Sequence, residues 1–505
     1  MKPNPPPDSA SAETHTSSTS ALLSASQESA GGLAQNWDQF IRAENPTLLQ
    51  PLWSYSQNDA GFAEAFIDEH IDRVRFCPEL EKWFTFDGVL WHEAASSSIT
   101  GCVLNQTRQA LRAAQDIRNK TGDDIPLKRV LKCGNHANIK NAVAIASVDP
   151  RIHVPLSLID RDPYLVGVAN GTLDLRASAL RTDVIDTMVT RTLGAGFDPE
   201  ASCPQWEHFI ERVTRGRDGL ADFLQRSIGY SLTGLTSEHC FWFLHGCGKN
   251  GKSVFIETLQ ALSGEYGSRA SERLLATSRH GGDARPDELA TLPGIRLLFG
   301  SETQEGVKLN EKLVKDLTGG DTVRAQALYK VGFSFQPSCK LWMFGNHKPD
   351  IGGTDYGIWR RVLLIPFTAQ ISPEEQDKNL TTKLRTELSG ILNWALRGLR
   401  RWEADGLNPP ACVTDGTAEY REDQDTLGDF LEECIQREEV GKSVSKFDLF
   451  MAYKSWAEDN GIRYCMSNKQ LSRKLKDRGF HEHPARHWAD CRLHKTGATI
   501  SFNRD

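Results

Sequence analysis

An apolar run, a glycine-rich turn and a helix-like stretch follow one another between residues 241 and 262, and they constrain the fold more than any other feature. The run 241–244 is typical of a buried strand, residues 246–253 fit the pattern GxxxxGKS, and Phe255, Leu259 and Leu262 share one helical face. Glycines in such a turn let backbone N–H groups surround a phosphate at the start of the helix. The sequence therefore predicts a phosphate-binding loop in an α/β fold.

The side chains of this loop indicate which ligand it takes. We expect the Lys252 ammonium to reach the β and γ oxygens of ATP, and the Ser253 hydroxyl to bind Mg²⁺. The alternative is a chance glycine loop, which the preceding strand and the following helix disfavour. The predicted ATP-binding residues are Gly246, Cys247, Gly248, Lys249, Asn250, Gly251, Lys252 and Ser253.

ATP hydrolysis also needs an acidic group at the end of a neighbouring strand, to manage Mg²⁺ and the attacking water. The apolar run 295–300 leads to Glu302, with Glu305 close behind. We predict that Glu302 is the catalytic base, and that Glu302 and Glu305 join Ser253 as candidate Mg²⁺ ligands. A solvated glutamate at a strand end is the alternative.

Two later strand-like segments carry further candidate catalytic residues. Asn346 ends the run 341–345, and on a strand between the loop and the acid its amide would orient the lytic water. A turn-forming asparagine is the alternative. Arg360 and Arg361 precede the run 362–367, and an arginine there is a candidate for reaching the γ-phosphate of an adjacent subunit. The alternative for these arginines is ordinary surface ion pairing.

Taken together, these segments resemble superfamily 3 helicases, in particular the phage and plasmid primase–helicase family that includes poxvirus primase–helicases. The resemblance rests on residues 246–253, Ser301-Glu302 with Glu305-Gly306, 315–321, 328–330, 345–349 and 357–361, with 170–175 and 223–230 upstream and 420–425 downstream. It implies an AAA+ core, a homo-hexameric ring with ATP sites between subunits, and a channel hairpin that carries Lys330 at its tip. Many members have paired acids where this chain has Ser301 and Glu302.

The same resemblance and the local composition predict four regions. Residues 1–35 are rich in Ser, Ala and Pro and are expected to be a disordered tail. Residues 36–235 would form an α+β helicase-associated N-terminal domain and collar, in which Asp87-Gly88 is a hairpin turn. Residues 236–410 would form the AAA+ P-loop ATPase domain, which ends where Asn408-Pro409-Pro410 breaks the chain. Residues 411–505 would form a winged-helix-like domain.

That last region reads as three helices, 427–438, 447–460 and 467–478, followed by strand-like segments. Lys469, Arg473 and Lys476 share a face of the third helix, which suits a DNA groove or a row of phosphates. A solvated charged face is an equally good interpretation. His and Cys residues follow, but without a paired knuckle they do not predict a metal site.

Composition excludes some classes of protein. The formal net charge is −7, so DNA contacts must come from local patches or an assembled channel. The 11 cysteines form no CxxC pair and indicate reduced thiols. Neither a membrane-spanning run nor a secretory signal is visible, so we expect a cytoplasmic protein in a phage- or plasmid-bearing bacterial host.

A primase active site has one weak candidate. Asp160 and Asp162, with His153 before them, are the candidate acids for two-metal chemistry, but they lie inside the stretch that resembles the helicase-associated domain. We interpret them as structural and expect a separate primase.

The sequence thus predicts an ATP- and Mg²⁺-dependent, ring-forming DNA helicase that acts on single-stranded or forked DNA together with other replication proteins. The alternatives are an AAA+ protein loader, an origin-binding initiator, or a primase–helicase with cryptic priming activity.

Overall fold

The computed structural model describes residues 50–493, apart from 183, 278–285, 302–306, 329, 352–355, 438–441, 463–464 and 483–485. The chain divides into two compact units, Met1–Leu158 and Ile159–Asp505. The predicted tail, residues 1–35, lies outside the described residues. No helix in the described part of the chain is both long and apolar enough to cross a membrane.

In its described residues, the first unit combines four α-helices with a three-stranded antiparallel sheet in the order β1-β2-β3. Its elements are α1 (Asp59–His70), β1 (Val74–Cys77), β2 (Lys82–Phe86), β3 (Trp91–Ala94), α2 (Ser96–Thr121), α3 (Ile125–Cys133) and α4 (His136–Ala146). The predicted hairpin is confirmed: Gly88 has φ 102°, and Asp87 Oδ1 accepts hydrogen bonds from the backbone N–H groups of Val89 and Leu90. Phe62, Phe66 and Ile67 of α1 are buried in the core of this unit.

The second unit begins with a small antiparallel sheet and two helices. These are β4 (Leu165–Val168), β5 (Gly171–Asp174), β6 (Ala179–Leu180), α5 (Pro204–Thr214) and α6 (Leu220–Leu232). The domain boundary at residues 235/236 stays a prediction; the structure shows that Phe223 and Leu224 of α6 are buried in the same core as Trp342 of the central sheet. Burial of apolar helix faces against the sheet places residues 159–235 in the same unit.

The centre of this unit is a five-stranded parallel sheet in the order β13-β7-β12-β9-β8. Its strands are β7 (Phe241–His245), β8 (Gly267–Ala270), β9 (Leu297–Gly300), β12 (Lys340–Gly345) and β13 (Val362–Pro366). A short hairpin, β10 (Val323–Ala325) with β11 (Phe333–Phe335), lies between β9 and β12 in the chain. This topology confirms the predicted α/β class.

Helices connect and cover these strands. They are α7 (Lys252–Ser263), α8 (Glu272–Leu275), α9 (Pro286–Leu289), α10 (Glu311–Gly319), α11 (Tyr356–Trp359), α12 (Leu380–Thr386), α13 (Leu388–Asp405) and α14 (Ala411–Asp423). Helices α6 and α13 pack closely because glycines replace side chains at their contact: a Cβ on Gly229 would lie 2.2 Å from Leu399 N, and one on Gly398 would lie 2.0 Å from Gln225 O.

Helix α14, which follows the predicted boundary at residues 410/411, also packs on the sheet. Val413 of α14 is buried in the central core, and Thr417 Oγ1 accepts a 3.0 Å hydrogen bond from Leu364 N of β13. The boundary at residues 410/411 stays a prediction. The separate C-terminal core begins at Leu427.

The C-terminal region contains α15 (Thr426–Cys434), β14 (Ile435–Arg437), β15 (Ser443–Ser445), α16 (Lys446–Asp459), α17 (Asn468–Asp477), β16 (His487–Ala489) and β17 (Cys491–Leu493). The three predicted helices are present, but the first ends at Cys434 and residues 435–437 form a strand that pairs with β17. Leu449, Leu471 and Leu475 are buried in this core.

Candidate nucleotide site

The glycine-rich loop leaves the carboxyl end of β7 and enters α7. Gly251 caps the helix with φ 86°, and Gly246 packs so closely that a Cβ there would lie 2.1 Å from Phe367 O. The loop is anchored to the end of β13, because Phe367 N donates to His245 O and Asn250 Nδ2 donates to Phe367 O, at 2.7 and 2.8 Å. The strand–loop–helix order predicted from the sequence is thus confirmed.

Lys252 ties the loop to the neighbouring strand. Its side chain is buried, and its ammonium donates to Gly246 O at 2.5 Å, to Asn250 Oδ1 at 3.2 Å and to Asn346 Oδ1 at 3.0 Å. Asn346 follows β12 directly, and β12 pairs with β7 on one side and β9 on the other. The structure therefore brings the loop lysine and the strand-end amide together, as the sequence predicted.

The rest of the loop faces outwards. Cys247, Gly248, Lys249 and Ser253 are exposed, so their backbone and side-chain groups are accessible to a ligand. The Ser253 hydroxyl stands in the first turn of α7, at a helix N-terminus that favours anions. A serine oxygen there, beside a lysine, fits the expectation for an Mg²⁺–phosphate ligand.

The electrostatics of this edge are cationic. Partial burial, and next the charge of Lys348, lower the pKa of His245 at the end of β7, and Lys252 and His347 act in the same direction. A protonated imidazole is disfavoured where other cations already stand. The same surroundings attract an anionic ligand such as a nucleotide phosphate.

The predicted acidic residues follow strand β9 in the sequence. Strand β9 ends at Gly300, and the exposed Ser301 follows it. Glu302 and Glu305 lie outside the described residues, so their assignment as base and Mg²⁺ ligands stays a prediction.

The two candidate finger arginines differ sharply in exposure. Both precede β13, at the amino edge of the sheet, whereas the glycine-rich loop is at the carboxyl edge. Arg361 is 8% exposed, and its Nη1 donates to His239 O at 3.1 Å, whereas Arg360 is exposed. Arg361 is thus held inside the fold, whereas Arg360 is accessible, and the assignment of a finger to either residue stays a prediction.

Sequence reasoning missed a pattern that includes Arg361. Arg296, Lys340 and Arg361 stand immediately before or at the start of three central strands, and all three are buried. Arg296 donates to Leu232 O at 2.6 Å and Lys340 contacts Thr233 O, which places both cations at the C-terminus of α6. Cations are favoured at that end of a helix. The signal available in the sequence was a cation directly before or at the start of three apolar strands, β9, β12 and β13.

The predicted DNA-binding residues are at two exposed places. Lys330 lies in the connection of the β10–β11 hairpin, where Leu328 and Val331 are 70% and 81% exposed. Tyr329 is outside the described residues. On α17, Lys469 and Arg473 are exposed, whereas Lys476 forms a 2.7 Å ion pair with Glu482. The charge available on the predicted basic face is therefore smaller than the sequence suggests.

The acid pair considered for priming is held by the protein itself. Asp160 accepts hydrogen bonds from the Thr190 backbone and hydroxyl at 2.9 and 2.6 Å, and burial raises its pKa. Asp162 is bridged by two nitrogens of Arg176, at 2.9 and 3.1 Å. These contacts are those of a structural pair, which agrees with the interpretation from the sequence.

Three stretches of the chain match models of protein families. Residues 63–215 match a model described as D5 N terminal like, residues 244–361 match a family of unknown function, and residues 422–488 match a model described as Poxvirus D5 protein-like. The middle match includes the whole glycine-rich loop, Asn346 and both arginines.

Several viral proteins are similar in sequence. Putative helicase L207/L206 of Acanthamoeba polyphaga mimivirus is 27% identical over 391 residues, which is 72% of this chain and 40% of that protein. Putative helicase 022R of Frog virus 3 is 25% identical over 264 residues, 48% of this chain and 27% of that protein. Putative primase C962R of African swine fever virus (isolate Tick/Malawi/Lil 20-1/1983) is 21% identical over 453 residues, 84% of this chain and 44% of that protein. The chain thus spans less than half the length of these relatives.

Among solved structures, the apo NrS-1 C terminal region (305-718) aligns with a TM-score of 0.45 and 10% identity, over 86% of this chain and 99% of that chain. The family matches stand on both sides of the nucleotide site, and the named relatives are all viral. The chain thus carries segments similar to D5-like models on both sides of the candidate site, and it is similar in sequence to putative helicases and primases of large DNA viruses.

Proposed function

We propose that this chain binds and hydrolyses MgATP at the carboxyl edge of its central sheet and uses the energy to move along DNA and separate its strands. The observation that carries the proposal is the 3.0 Å contact between Lys252 Nζ and Asn346 Oδ1, made across adjacent parallel strands. A phosphate-binding lysine beside a strand-end amide is the arrangement that nucleotide hydrolysis needs for holding phosphate and orienting water.

In this proposal each residue of the site has one task. Lys252 neutralises the β and γ oxygens of ATP, and Ser253 holds Mg²⁺ together with Glu302 and Glu305. Glu302 accepts a proton from the attacking water, while the Asn346 amide orients that water. Mg²⁺ supplies charge neutralisation across the phosphates.

Assembly into a superfamily 3 ring would complete the site. Arg360 is exposed at the amino edge of the sheet, opposite the nucleotide of its own subunit. A homo-hexamer would bring Arg360 of one subunit to the γ-phosphate held by the next, where an arginine stabilises the charge of the transition state. Hydrolysis would then depend on subunit contact.

The β10–β11 hairpin is the proposed DNA contact. Its connection exposes Lys330 beside two apolar side chains, so it offers a cation to phosphates and apolar surface to bases or sugars. In a ring, six such hairpins would line the channel. The phage or plasmid setting and a separate primase remain predictions.

A second candidate function is an ATP-controlled replication initiator. The exposed Lys469 and Arg473 on α17 favour it, because a basic helix on a separate C-terminal core is suited to a DNA groove. Deleting residues 425–505 separates the two: an initiator loses its specific DNA binding, whereas a translocase keeps DNA-stimulated ATPase.

The proposal is tested by measuring ATPase activity with and without single-stranded DNA in three proteins. Wild type should be stimulated by DNA, and Lys330→Ala should keep basal ATPase but lose most of the stimulation. Lys378→Ala is the matched control, because Lys378 is an exposed lysine in the turn before α12. Equal stimulation of all three proteins would refute the role of the hairpin, and absence of ATPase activity in the wild type would refute the proposed function.

A further inference from the structure

The loop formed by residues 347–351 begins directly after Asn346 and is held from two sides. On the first side its backbone pairs with residues 307–309: Leu309 N donates to Asp350 O at 2.9 Å, and Asp350 N donates to Val307 O at 3.0 Å. Residues 307–309 follow the segment that carries the predicted catalytic acid. One side of the loop is therefore hydrogen-bonded to the segment that follows β9 and the predicted catalytic acid in the sequence.

On the second side the loop is held by the end of α14. The Tyr420 hydroxyl donates to Pro349 O, and Ile351 N donates to Gln424 Oε1 at 3.1 Å. Tyr420 is 1% exposed, and its ring packs edge-on against Trp359 at 5.1 Å. A 2.8 Å ion pair between Lys348 and Asp423 adds a third contact. That pair is partly solvated, so the hydroxyl and amide contacts carry most of the attachment.

The same end of α14 leads at once into the C-terminal core. Asp425 caps α15 by accepting a hydrogen bond from Gly428 N at 3.1 Å. Asp425 also forms an ion pair with Arg478, which follows the basic helix α17. The nucleotide-site loop and the basic helix are thus attached to adjacent positions, residues 420–424 and residue 425.

We propose that Tyr420 and Gln424 form a latch that couples the nucleotide state at Asn346 to the affinity of the C-terminal region for the phosphates of nucleic acid. Because both flanks of the 347–351 loop are bonded, a shift of Asn346 towards a bound γ-phosphate is transmitted to α14 rather than absorbed by the loop. Helix α14 moves α15 and α17 with it. Coupling between two sites is reciprocal, so DNA on α17 changes nucleotide affinity by the same factor.

This inference rests on the proposed function for ATP at one end, and on the α17 contact of the second candidate function for DNA at the other. It adds a coupling route and two positioning residues, neither of which touches the nucleotide in the proposal. If Tyr420 and Gln424 only supported the fold, their loss would lower the unfolding free energy equally in every nucleotide state. A latch instead determines how far the DNA affinity differs between the ADP-bound and the ATP-bound states.

The test measures the dissociation constant of a fluorescein-labelled single-stranded oligonucleotide with Mg²⁺ and either ADP or a non-hydrolysable ATP analogue. In the wild type the two constants should differ about five-fold or more, the lower end of common coupling factors. Tyr420→Phe combined with Gln424→Ala should bring the ratio close to one, with the nucleotide dissociation constant in the absence of DNA unchanged. Tyr420→Phe keeps the ring against Trp359.

Tyr453→Phe is the matched control. Tyr453 is also 1% exposed, and its hydroxyl accepts a 3.4 Å hydrogen bond from Met466 N within the C-terminal core, so the variant removes a buried hydroxyl away from the latch. The control should keep the wild-type ratio.

Two outcomes would overturn the latch while leaving the proposed function intact: a wild type that binds both ligands without coupling, or a double variant with the wild-type ratio. The latch would also be overturned if the nucleotide affinity of the double variant, measured without DNA, fell by the same factor as its ratio of DNA dissociation constants. That result would show that the two residues merely support the nucleotide site. Failure of the wild type to bind nucleotide or DNA would instead refute the proposed function.

Discussion

Two glycines of the phosphate-binding loop should respond very differently to the same small change. An alanine Cβ at position 246 would lie 2.1 Å from Phe367 O and 2.3 Å from Asn250 Nδ2, well inside ordinary contact distances. Relief requires the loop to move away from β13, which breaks the Phe367–His245 and Asn250–Phe367 hydrogen bonds. Gly248 has φ 96°, and a Cβ there would meet no atom within 4 Å.

The expected costs follow from these contacts. Two lost hydrogen bonds at about 0.5–1.5 kcal/mol each and roughly 1–3 kcal/mol of overpacking give about 2–6 kcal/mol of lost unfolding free energy for Gly246→Ala. Gly248→Ala should cost only the backbone strain of a left-handed alanine, about 1–2 kcal/mol. The assay is urea unfolding without nucleotide, followed by near-ultraviolet circular dichroism.

The stacked rings of Trp242 and Trp342, 4.6 Å apart and 9° from parallel, lie on the two strands that flank the site and contribute to this signal. Calorimetry with MgATP adds a second readout, because Gly246→Ala also displaces the oxygen that Lys252 binds and should weaken nucleotide binding. If Gly246→Ala were as stable as Gly248→Ala and bound MgATP like the wild type, the close packing deduced for the loop would be wrong.

Two further predictions concern titration and the arginine pair. Burial, and next the charge of Arg73, lower the pKa of His70 to about 4. Between about pH 6.5 and pH 4 the unfolded chain therefore binds a proton at His70 that the folded chain does not bind. The unfolding free energy should consequently fall by up to about 3 kcal/mol as the pH drops from 6.5 to 4. Urea unfolding at pH 7 and pH 4.5 should show a smaller pH dependence in His70→Leu, and an unchanged dependence would contradict the burial argument. Arg360→Ala should keep stability and nucleotide affinity but lower ATPase activity by a factor on the order of 10³, whereas Arg361→Ala should lower the unfolding free energy by about 1.5–3 kcal/mol. Thermal unfolding and ATPase assays of both variants decide between the two arginines, and the reverse assignment would follow from full activity of Arg360→Ala.

The local pieces of the fold were predictable because their signals are local. The strand, glycine loop and helix around Lys252 follow from hydrophobic spacing and from the backbone freedom of glycine. The Asp87-Gly88 turn and the three C-terminal helices likewise depend on neighbouring residues. The position of Asn346 beside the loop strand came from the resemblance to known helicases, since periodicity does not give strand order.

The remaining features depend on partners far away in the sequence. The hydroxyl of Tyr420 bonds Pro349 O across 71 positions, so the packing of α14 on the sheet does not follow from the prolines at 409 and 410. Arg361 was predicted as a candidate finger, with surface ion pairing as the alternative, because a single sequence does not show that it is buried and donates to the carbonyl of His239. Tertiary contacts override local composition at both places.

The central claim is that the site built on Lys252 powers strand separation, and a forked-duplex displacement assay tests it most directly. Wild-type protein with Mg²⁺ and ATP should release the labelled strand, and Lys252→Ala should release none while retaining its fold by circular dichroism. Wild-type protein that hydrolyses ATP regardless of DNA and displaces no strand would contradict the account.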